Sequence, residues 1–235
     1  MSIAIKQDDA GREFGLAPLA KTRKAEAAYH AVRRSIVLGR IRPGDALREQ
    51  KVAQQLGCSQ GTVREAFLKL EHDGLVDRQG YGGTIVSATS VGEAAEMVKM
   101  RIQIECAGTD RCVRSLAPEA LDTLDSITRQ MDQATAASDY YQCSELDREF
   151  HLYLFRQSGL TLLEPILMRC QLHIHRFTYN EADDKKSDPD LGDNHRLLLG
   201  DLKTGDPETA SLAICAHIET VLDRWAPELK EPKER

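Results

Sequence analysis

Residues 47–86 read LREQKVAQQLGCSQGTVREAFLKLEHDGLVDRQGYGGTIV, and the reading of this stretch decides the fold. It divides into short helices about a Gly-broken turn, the last of them a recognition helix, followed by a Gly-rich hairpin. Ala53, Gly57 and Val63 fall where a helix-turn-helix needs a small residue for close helix approach, a left-handed turn residue and an apolar plug between helices. Val52, Leu56, Ala66, Phe67 and Leu70 recur at helical spacing and point to the same small core. Ser59 is placed to cap the recognition helix, and Gly74 follows Asp73 where that helix has to stop. The order predicts an element that reads DNA.

Working outward, a first helix is expected from about Thr22 to Leu38, with Ala28, Val32, Ile36 and Val37 as its apolar stripe and Gly39 as its end. Arg42, Pro43, Gly44 and Asp45 form a turn, and residues 1–18 lack periodicity and read as a mobile arm. On the other side, strands at 75–78 and 84–87 are joined by residues 79–83, QGYGG, as the wing of a winged helix. Gly82 and Gly83 would let that wing enter a minor groove. Arg64 is placed to read a base or clamp a phosphate, and Arg33, Lys51 and Lys69 are candidates for phosphate contacts.

After a short linker at 88–90 the pattern becomes helical and stays so. Helices are expected at about 91–115, 118–136, 139–158, 161–180, 193–203 and 207–225, with a charged loop at 182–192. The fold class is therefore mainly α: an N-terminal winged helix-turn-helix with a small hairpin wing (19–88), then an all-α antiparallel bundle (89–228) and a charged tail (229–235).

Charge follows the same division. The net charge of the 235-residue chain is −6, yet residues 19–88 carry 12 Lys and Arg against 7 Asp and Glu, and residues 89–235 carry 17 against 27. A basic head on an acidic body is the asymmetry expected when one domain approaches phosphates. The six cysteines are scattered without a CxxC pair, which argues against a disulfide framework or a zinc ribbon. No apolar run approaches a membrane span and no signal peptide is apparent, so a cytoplasmic protein is expected.

The bundle carries a polar constellation on apolar stripes. Asp147 and His151, four apart, share one helix face with Phe150 and Leu154 beside them. His195 lies on a stripe with Leu198, Leu199 and Leu202; His217 lies with Ala213, Ile214 and Val221. Any one such histidine is more often a satisfied core residue than a ligand. Together, three imidazoles and a carboxylate from three helices make a nitrogen and oxygen set suited to a divalent metal such as zinc, nickel or manganese. Arg101 sits on an apolar face of the first bundle helix; Glu105 could brace it from the next turn or be an ordinary surface acid. His173 and His175 cannot share a helix face; His173, beside Ile166, Cys170 and Phe177, is the better candidate to line a ligand pocket, although packing roles are the simpler reading.

Three functions fit these residues: a ligand-responsive DNA-binding regulator, a metal-dependent hydrolase using the open position of a His3Asp site, and an architectural DNA binder. No separate nucleophile or general base stands beside the cluster in the sequence, which favours the first over the second.

The segments Gly39-Arg40-Ile41-Arg42-Pro43-Gly44, residues 56–66 (LGCSQGTVREA) and residues 70–76 (LEHDGLV) resemble the winged-helix domain of the GntR transcription regulators. Arg101-x3-Glu105, Asp147-x2-Phe150-His151, His195, and Gly205-Asp206 followed by His217 resemble the FCD ligand domain of the FadR subfamily. The resemblance spans about residues 22–225. It implies a homodimer on a palindromic double-stranded DNA operator, usually as a repressor, with a small organic-acid effector beside a metal. Asp147, His151, His195 and His217 match the metal-ligand positions, and Arg101 matches the arginine that meets the effector's carboxylate. The DNA-facing set becomes Arg33, Gln50, Lys51, Ser59, Gln60, Gly61, Thr62, Arg64, Gly82 and Gly83. The chain departs from the family at Gln50 and Gln60, where members commonly carry arginines, and at Gly61-Thr62, where Thr-Pro is usual. Glutamine suits the N6/N7 edge of adenine and arginine the O6/N7 edge of guanine, so a less guanine-centred operator is expected.

Overall fold

A computed structural model of the chain describes residues 22–79, 83–181 and 190–225, mostly as helix. The N-terminal unit runs α1 (Thr22–Val37), β1 (Ala46–Leu47), α2 (Glu49–Leu56), α3 (Gln60–His72), β2 (Val76–Arg78) and β3 (Thr84–Val86). Gly57 ends α2 at φ +61°, and the Ser59 hydroxyl accepts the Thr62 amide to start α3, so the turn between the two helices is built by the residues expected to build it. Gly74, at φ +76°, closes α3 and sends the chain into β2. Val63, Ala66, Phe67 and Leu70 of α3 are fully buried against Ile36 and Val37 of α1 and Leu75. Completely burying a side chain such as Phe67 contributes roughly 1.5–3 kcal/mol, which fixes α3 in its scaffold and leaves its other face to solvent.

The sheet is antiparallel in the order β1-β3-β2, with Asp77 opposite Ile85 and Leu47 opposite Thr84. The two-residue β1 has no counterpart among the expected strands. It exists because β3 has a second edge to pair, and two residues carry no period-2 signal.

The second unit contains α4 (Val91–Cys112), continued by a 3-10 turn at Val113–Ser115, then α5 (Pro118–Ala136), α6 (Tyr140–Arg156), α7 (Glu164–Glu181), α8 (Leu191–Leu202) and α9 (Pro207–Trp225). Ser90 and Glu93 form a reciprocal capping box that starts α4 directly after the linker. Pro118 occupies the first turn of α5, and the Asp139 carboxylate caps α6. α4 packs against α6, α7 and α9, and α5 is held between α6 and α8. Leu124, Met131, Leu146, Phe150, Leu154, Leu199 and Ile214 fill the core between them. Gly108 of α4 faces Phe155 of α6, where a Cβ would meet the ring at 2.5 Å, so the ring lies in space that only a glycine leaves open. Against expectation, α7 begins at Glu164 rather than near residue 161, because 161–163 are turn, and α8 begins two residues early, at Leu191.

The two units share a seam. Tyr141 of α6 and Leu172 of α7 belong to the hydrophobic core of the N-terminal unit, and α1 lies on α7. Arg33 of α1 is 6% exposed and pairs with Glu145 of α6, which Arg148 also engages. Burial opposes the Arg33 charge, but Glu145 together with the Tyr29 and Tyr141 hydroxyls outweighs it and holds the guanidinium above its ordinary pKa. The expected phosphate contact of Arg33 is therefore corrected: its side chain is spent inside the molecule. Sequence periodicity placed Arg33 on α1 but could not show that a second domain covers that face.

Candidate metal centre and DNA-facing surface

α6, α8 and α9 bring Asp147, His151, His195 and His217 together. One potential ligand atom from each lies within 4.8 Å of all the others. His151 and His195 are buried, with at most 1% of either exposed. Their ring centroids stand 5.4 Å apart, those of His151 and His217 5.2 Å, and those of His195 and His217 4.4 Å.

Two of the three rings are held by the far nitrogen. His195 Nδ1 lies 2.8 Å from the Leu191 carbonyl and His151 Nδ1 lies 2.6 Å from Glu105 Oε2. Both partners are acceptors, so in the neutral ring the proton resides on Nδ1 and Nε2 presents a lone pair. The Nε2 atoms of His151, His195 and His217 are buried without a hydrogen-bond partner. His195 Nε2 stands 3.2 Å from Asp147 Oδ1, and His151 Nε2 stands 3.9 Å from the same oxygen. Lone pairs crowded on one point need positive charge between them, and stranding buried polar atoms is costly. The donor set, three imidazole nitrogens and one carboxylate oxygen, fits zinc and its divalent neighbours.

The electrostatics agree. Burial pushes the His151 and His217 pKa values down, for His217 well below the usual imidazole range, with His195 and His151 beside it adding to the effect. Burial would raise the Asp147 carboxyl, but the hydrogen bond from His175 and the neighbouring rings outweigh it, so the acid is held well below its ordinary range. Neutral imidazoles and an ionised carboxylate are the ligating forms.

A second layer surrounds the first. Glu105 of α4 uses Oε2 for His151, while its Oε1 accepts from Arg101 Nε at 2.7 Å and from Gln171 Nε2 at 3.1 Å. Glu105 is thus a brace and not a surface acid; the Arg101-x3-Glu105 spacing was its signal. Arg101 is 3% exposed, and one of its terminal nitrogens stands 4.0 Å from Asp147 Oδ2. Burial opposes its charge, yet Glu105 and Asp147 keep its pKa raised.

The two histidines of α7 change places with respect to expectation. His173, the candidate for the pocket, lies in the seam: Nε2 is 2.8 Å from the Asp73 carbonyl at the end of α3 and Nδ1 is 3.0 Å from the Thr89 hydroxyl. His175 is the one at the site, with Nε2 at 2.9 Å from Asp147 Oδ2. A helical face assigned from apolar neighbours alone cannot tell a seam from a pocket. His175 was the less favoured of the two histidines and Gln171 carried no sequence signal, since both meet their partners only through the packing of α7 on α4 and α6.

On the N-terminal unit, Gln50, Lys51, Ser59, Gln60, Gly61 and Arg64 are exposed, and Thr62 is half-buried. Gln60 and Gly61 open α3, and Gln50 and Lys51 lie in the first turn of α2 beside Glu49, which reaches Arg64 of α3. Ser59 is occupied in capping. Arg64 forms a two-pronged pair with Glu49 of α2, which it has to exchange to reach nucleic acid. Gly83 takes φ +88° beside β3; Gly82 lies outside the described residues. Lys69, a further phosphate candidate, pairs with Glu26 of α1.

No described helix is long and apolar enough to cross a membrane. The chain matches the family model of bacterial regulatory proteins, gntR family, over residues 24–86 and that of the FCD domain over residues 96–220. It is 25% identical over 193 residues to the HTH-type transcriptional repressor RspR of Escherichia coli, covering 82% of this chain and 85% of that protein. It is 24% identical over 209 residues to the HTH-type transcriptional regulator YdhC of Bacillus subtilis, covering 88% and 92%. Among solved structures, E. coli McbR/YncC superposes with a TM-score of 0.73 at 22% identity, over 87% of this chain and 98% of that one. A GntR-type regulator from Rhodococcus sp. RHA1 gives 0.70 at 23% identity, over 88% and 99%. With a reading head in one unit and a polar site in the other, the chain belongs to the GntR family of bacterial transcription regulators and carries an FCD domain, a family of regulators rather than enzymes.

Proposed function

We propose that this regulator binds a palindromic operator as a homodimer, as a repressor, and responds to a small carboxylate held beside a divalent metal in the FCD domain. The observation that carries the reading is the set of three buried, unpartnered imidazole Nε2 atoms gathered with Asp147. A bound cation supplies Lewis acidity and an open coordination position for a ligand oxygen. The chain's own residues do the rest. Glu105 and the Leu191 carbonyl orient His151 and His195 through Nδ1. Arg101 offers a guanidinium beside the same site; its Nε is committed to Glu105, and its terminal nitrogens, one of them 4.0 Å from Asp147 Oδ2, are the groups to meet a carboxylate.

The DNA-binding surface is made of Gln50, Lys51, Ser59, Gln60, Gly61, Thr62, Arg64 and Gly83, with Gly82, outside the described residues, beside them in the sequence. Working on DNA places the protein in the cytoplasm. The hydrolase reading loses support, because the chain matches families of regulators and the groups about the cluster include Glu105 and His175, which are engaged in bracing a ligand or Arg101.

Elemental analysis of the purified protein should return close to one zinc, nickel or manganese per chain, and Asp147→Asn or His195→Gln should remove it. Operator retention in a mobility-shift assay should change when organic acids are added to metal-loaded protein and not to chelated protein. Metal-free protein in which these substitutions change nothing would refute the site.

A further inference from the structure

Of the six cysteines, Cys112, Cys143 and Cys170 are buried and Cys58 lies against the core of the N-terminal unit. That leaves Cys106 of α4 and Cys215 of α9, both half-buried, as the accessible thiols of the FCD domain. They are distant in sequence, but α4 and α9 pack directly on each other. Cys106 Sγ is turned to α9 and lies 3.6 Å from the Ser211 carbonyl. Ser211 stands one helical turn before Cys215, and side chains on a helix tilt towards its N-terminus, so Cys215 covers the same turn that Cys106 touches. The two thiols are accordingly near enough to interact through a side-chain hydrogen bond and to act on each other's charge. Cys106 also lines an open groove of about 650 Å³ with Asp110, Arg114, Asp206, Glu208 and Leu212, which gives a small solute a path to its sulfur.

We propose that Cys106 and Cys215 form a reversible disulfide site, oxidised by low-molecular-weight disulfides, that locks α4 to α9. In the first step one cysteine sulfur attacks the oxidant RSSR: a bond from Sγ to SR forms, the RS–SR bond breaks, and RSH leaves with the proton of the attacking thiol. In the second step the other cysteine attacks that Sγ, the Sγ–Sγ bond forms, and the second RSH leaves with the remaining proton. Two protein thiols are oxidised and one RSSR is reduced to two RSH. In a reducing compartment the dithiol is the resting form, and the bond closes when the thiol pool turns oxidising; disulfides of intracellular proteins are mostly of this transient kind. The lock bears on the rest of the domain through what the two helices carry. Glu105, next to Cys106, braces His151, and His217 lies two residues beyond Cys215. The bond would join the first and last helices of the domain and close nearly all of it into one loop, which restricts the unfolded chain.

The test is incubation of the full-length protein with glutathione disulfide, followed by alkylation of free thiols and tryptic mapping without reductant. The expected product joins peptide 102–111, which holds Cys106, to peptide 204–224, which holds Cys215, and dithiothreitol should separate them again. Cys106→Ser should leave Cys215 carrying glutathione as a trapped mixed disulfide, and Cys215→Ser should leave Cys106 in the same state. The oxidised wild type should melt at a higher temperature than the reduced protein, and neither variant should show that rise. Glutathione on both cysteines without the cross-link would overturn the inference, because the sulfurs would then be too far apart to displace it. So would the absence of any reaction at either position, which would make the pair mere packing, and so would a bond formed between two chains instead of within one. A cross-link that lowers the melting temperature would overturn it too, since α4 and α9 would have to leave their native spacing to accept the bond.

Discussion

His173 and His175, two residues apart on α7, are hydrogen-bonded to opposite halves of the molecule: His173 to the carbonyl of Asp73 at the end of the recognition helix, His175 to the Asp147 carboxylate. The alternation continues along the helix. Arg176 donates to the Ser87 carbonyl just after the wing, and Gln171 reaches Glu105. One rigid helix therefore holds the reading head by one face and the sensor site by the other. A displacement of α7 at the sensor would reach the end of α3 with no loop between the two contacts.

His173→Gln should weaken the link between effector and operator while leaving acid affinity close to that of the wild type. Coupling energies between sites are typically ~1–3 kcal/mol, so losing most of one appears as a severalfold smaller effector-induced change in operator affinity. Mobility-shift titrations with and without effector measure it. An undiminished effector response in this variant would show that the link runs elsewhere.

The same histidine predicts a pH dependence. Burial, with the Arg176 and Arg169 guanidinium groups adding to it, lowers the His173 pKa in the folded protein. In the unfolded chain an imidazole titrates near 6.5. As pH falls below that value the unfolded state takes up the proton first, so the stability contributed by the neutral ring is complete above about pH 6.5 and is lost progressively below it. Urea unfolding at about pH 7.5 and about pH 5.5 should show a steeper loss in the wild type than in His173→Gln. Parallel losses in the two proteins would exclude this group as a source.

Arg33 gives a test in which the sequence and the structure make opposite claims. If it were a phosphate clamp, Arg33→Ala would flatten the salt dependence of DNA binding without affecting stability. Buried on Glu145 and beside the Tyr29 hydroxyl, it should instead destabilise the fold, towards the lower end of the ~3–5 kcal/mol for removing one member of a buried pair, because Arg148 still engages Glu145. Denaturant titration measures the loss, and an unchanged salt slope completes the result.

Gly108 sets how closely α4 approaches α6, and those helices carry the brace Glu105 and the ligands Asp147 and His151. Gly108→Ala forces a Cβ into the Phe155 ring, an overpacking of about 1–3 kcal/mol. Metal retention during competition with a chelator should fall as well, because the strain displaces Glu105 from His151. Adding Phe155→Leu should restore both. A Gly108→Ala protein with wild-type stability and metal retention would show that α4 has slack here.

The division between what the sequence disclosed and what it withheld follows the range of the interactions. Ser59, Gly57 and Gly74 act on residues within a turn of themselves, so local rules found them. Asp147 and His151 were legible as an i,i+4 pair on an apolar face, and the other two histidines as polar residues on stripes where polar residues are unusual. Their convergence is a matter of helix packing, which the resemblance suggested and the geometry of α6, α8 and α9 supplies. Arg33, His173, His175 and Gln171 depend on which side of a helix meets which neighbour across the seam, and no spacing within one helix encodes that.

Gln60 is exposed in the first turn of α3, the end of a recognition helix that approaches base edges. A glutamine there gives up the bidentate grip on guanine that an arginine supplies and gains one on adenine, a discrimination of ~1–3 kcal/mol per good pair. Selection from a randomised duplex pool should therefore return half-sites with adenine where Gln60 falls, and Gln60→Arg should shift that position to guanine. Gln60→Ala should relax the preference there by roughly tenfold, as ~1.4 kcal/mol implies, with the salt slope unchanged, since a neutral side chain releases no counterions. Lys51→Ala provides the opposite signature: weaker binding on every sequence and a salt slope smaller by about one, with the base preference intact. Selection of the same guanine-rich half-site by wild type and Gln60→Ala would place Gln60 on the phosphate backbone or on water, and the departure from arginine would then carry no sequence information.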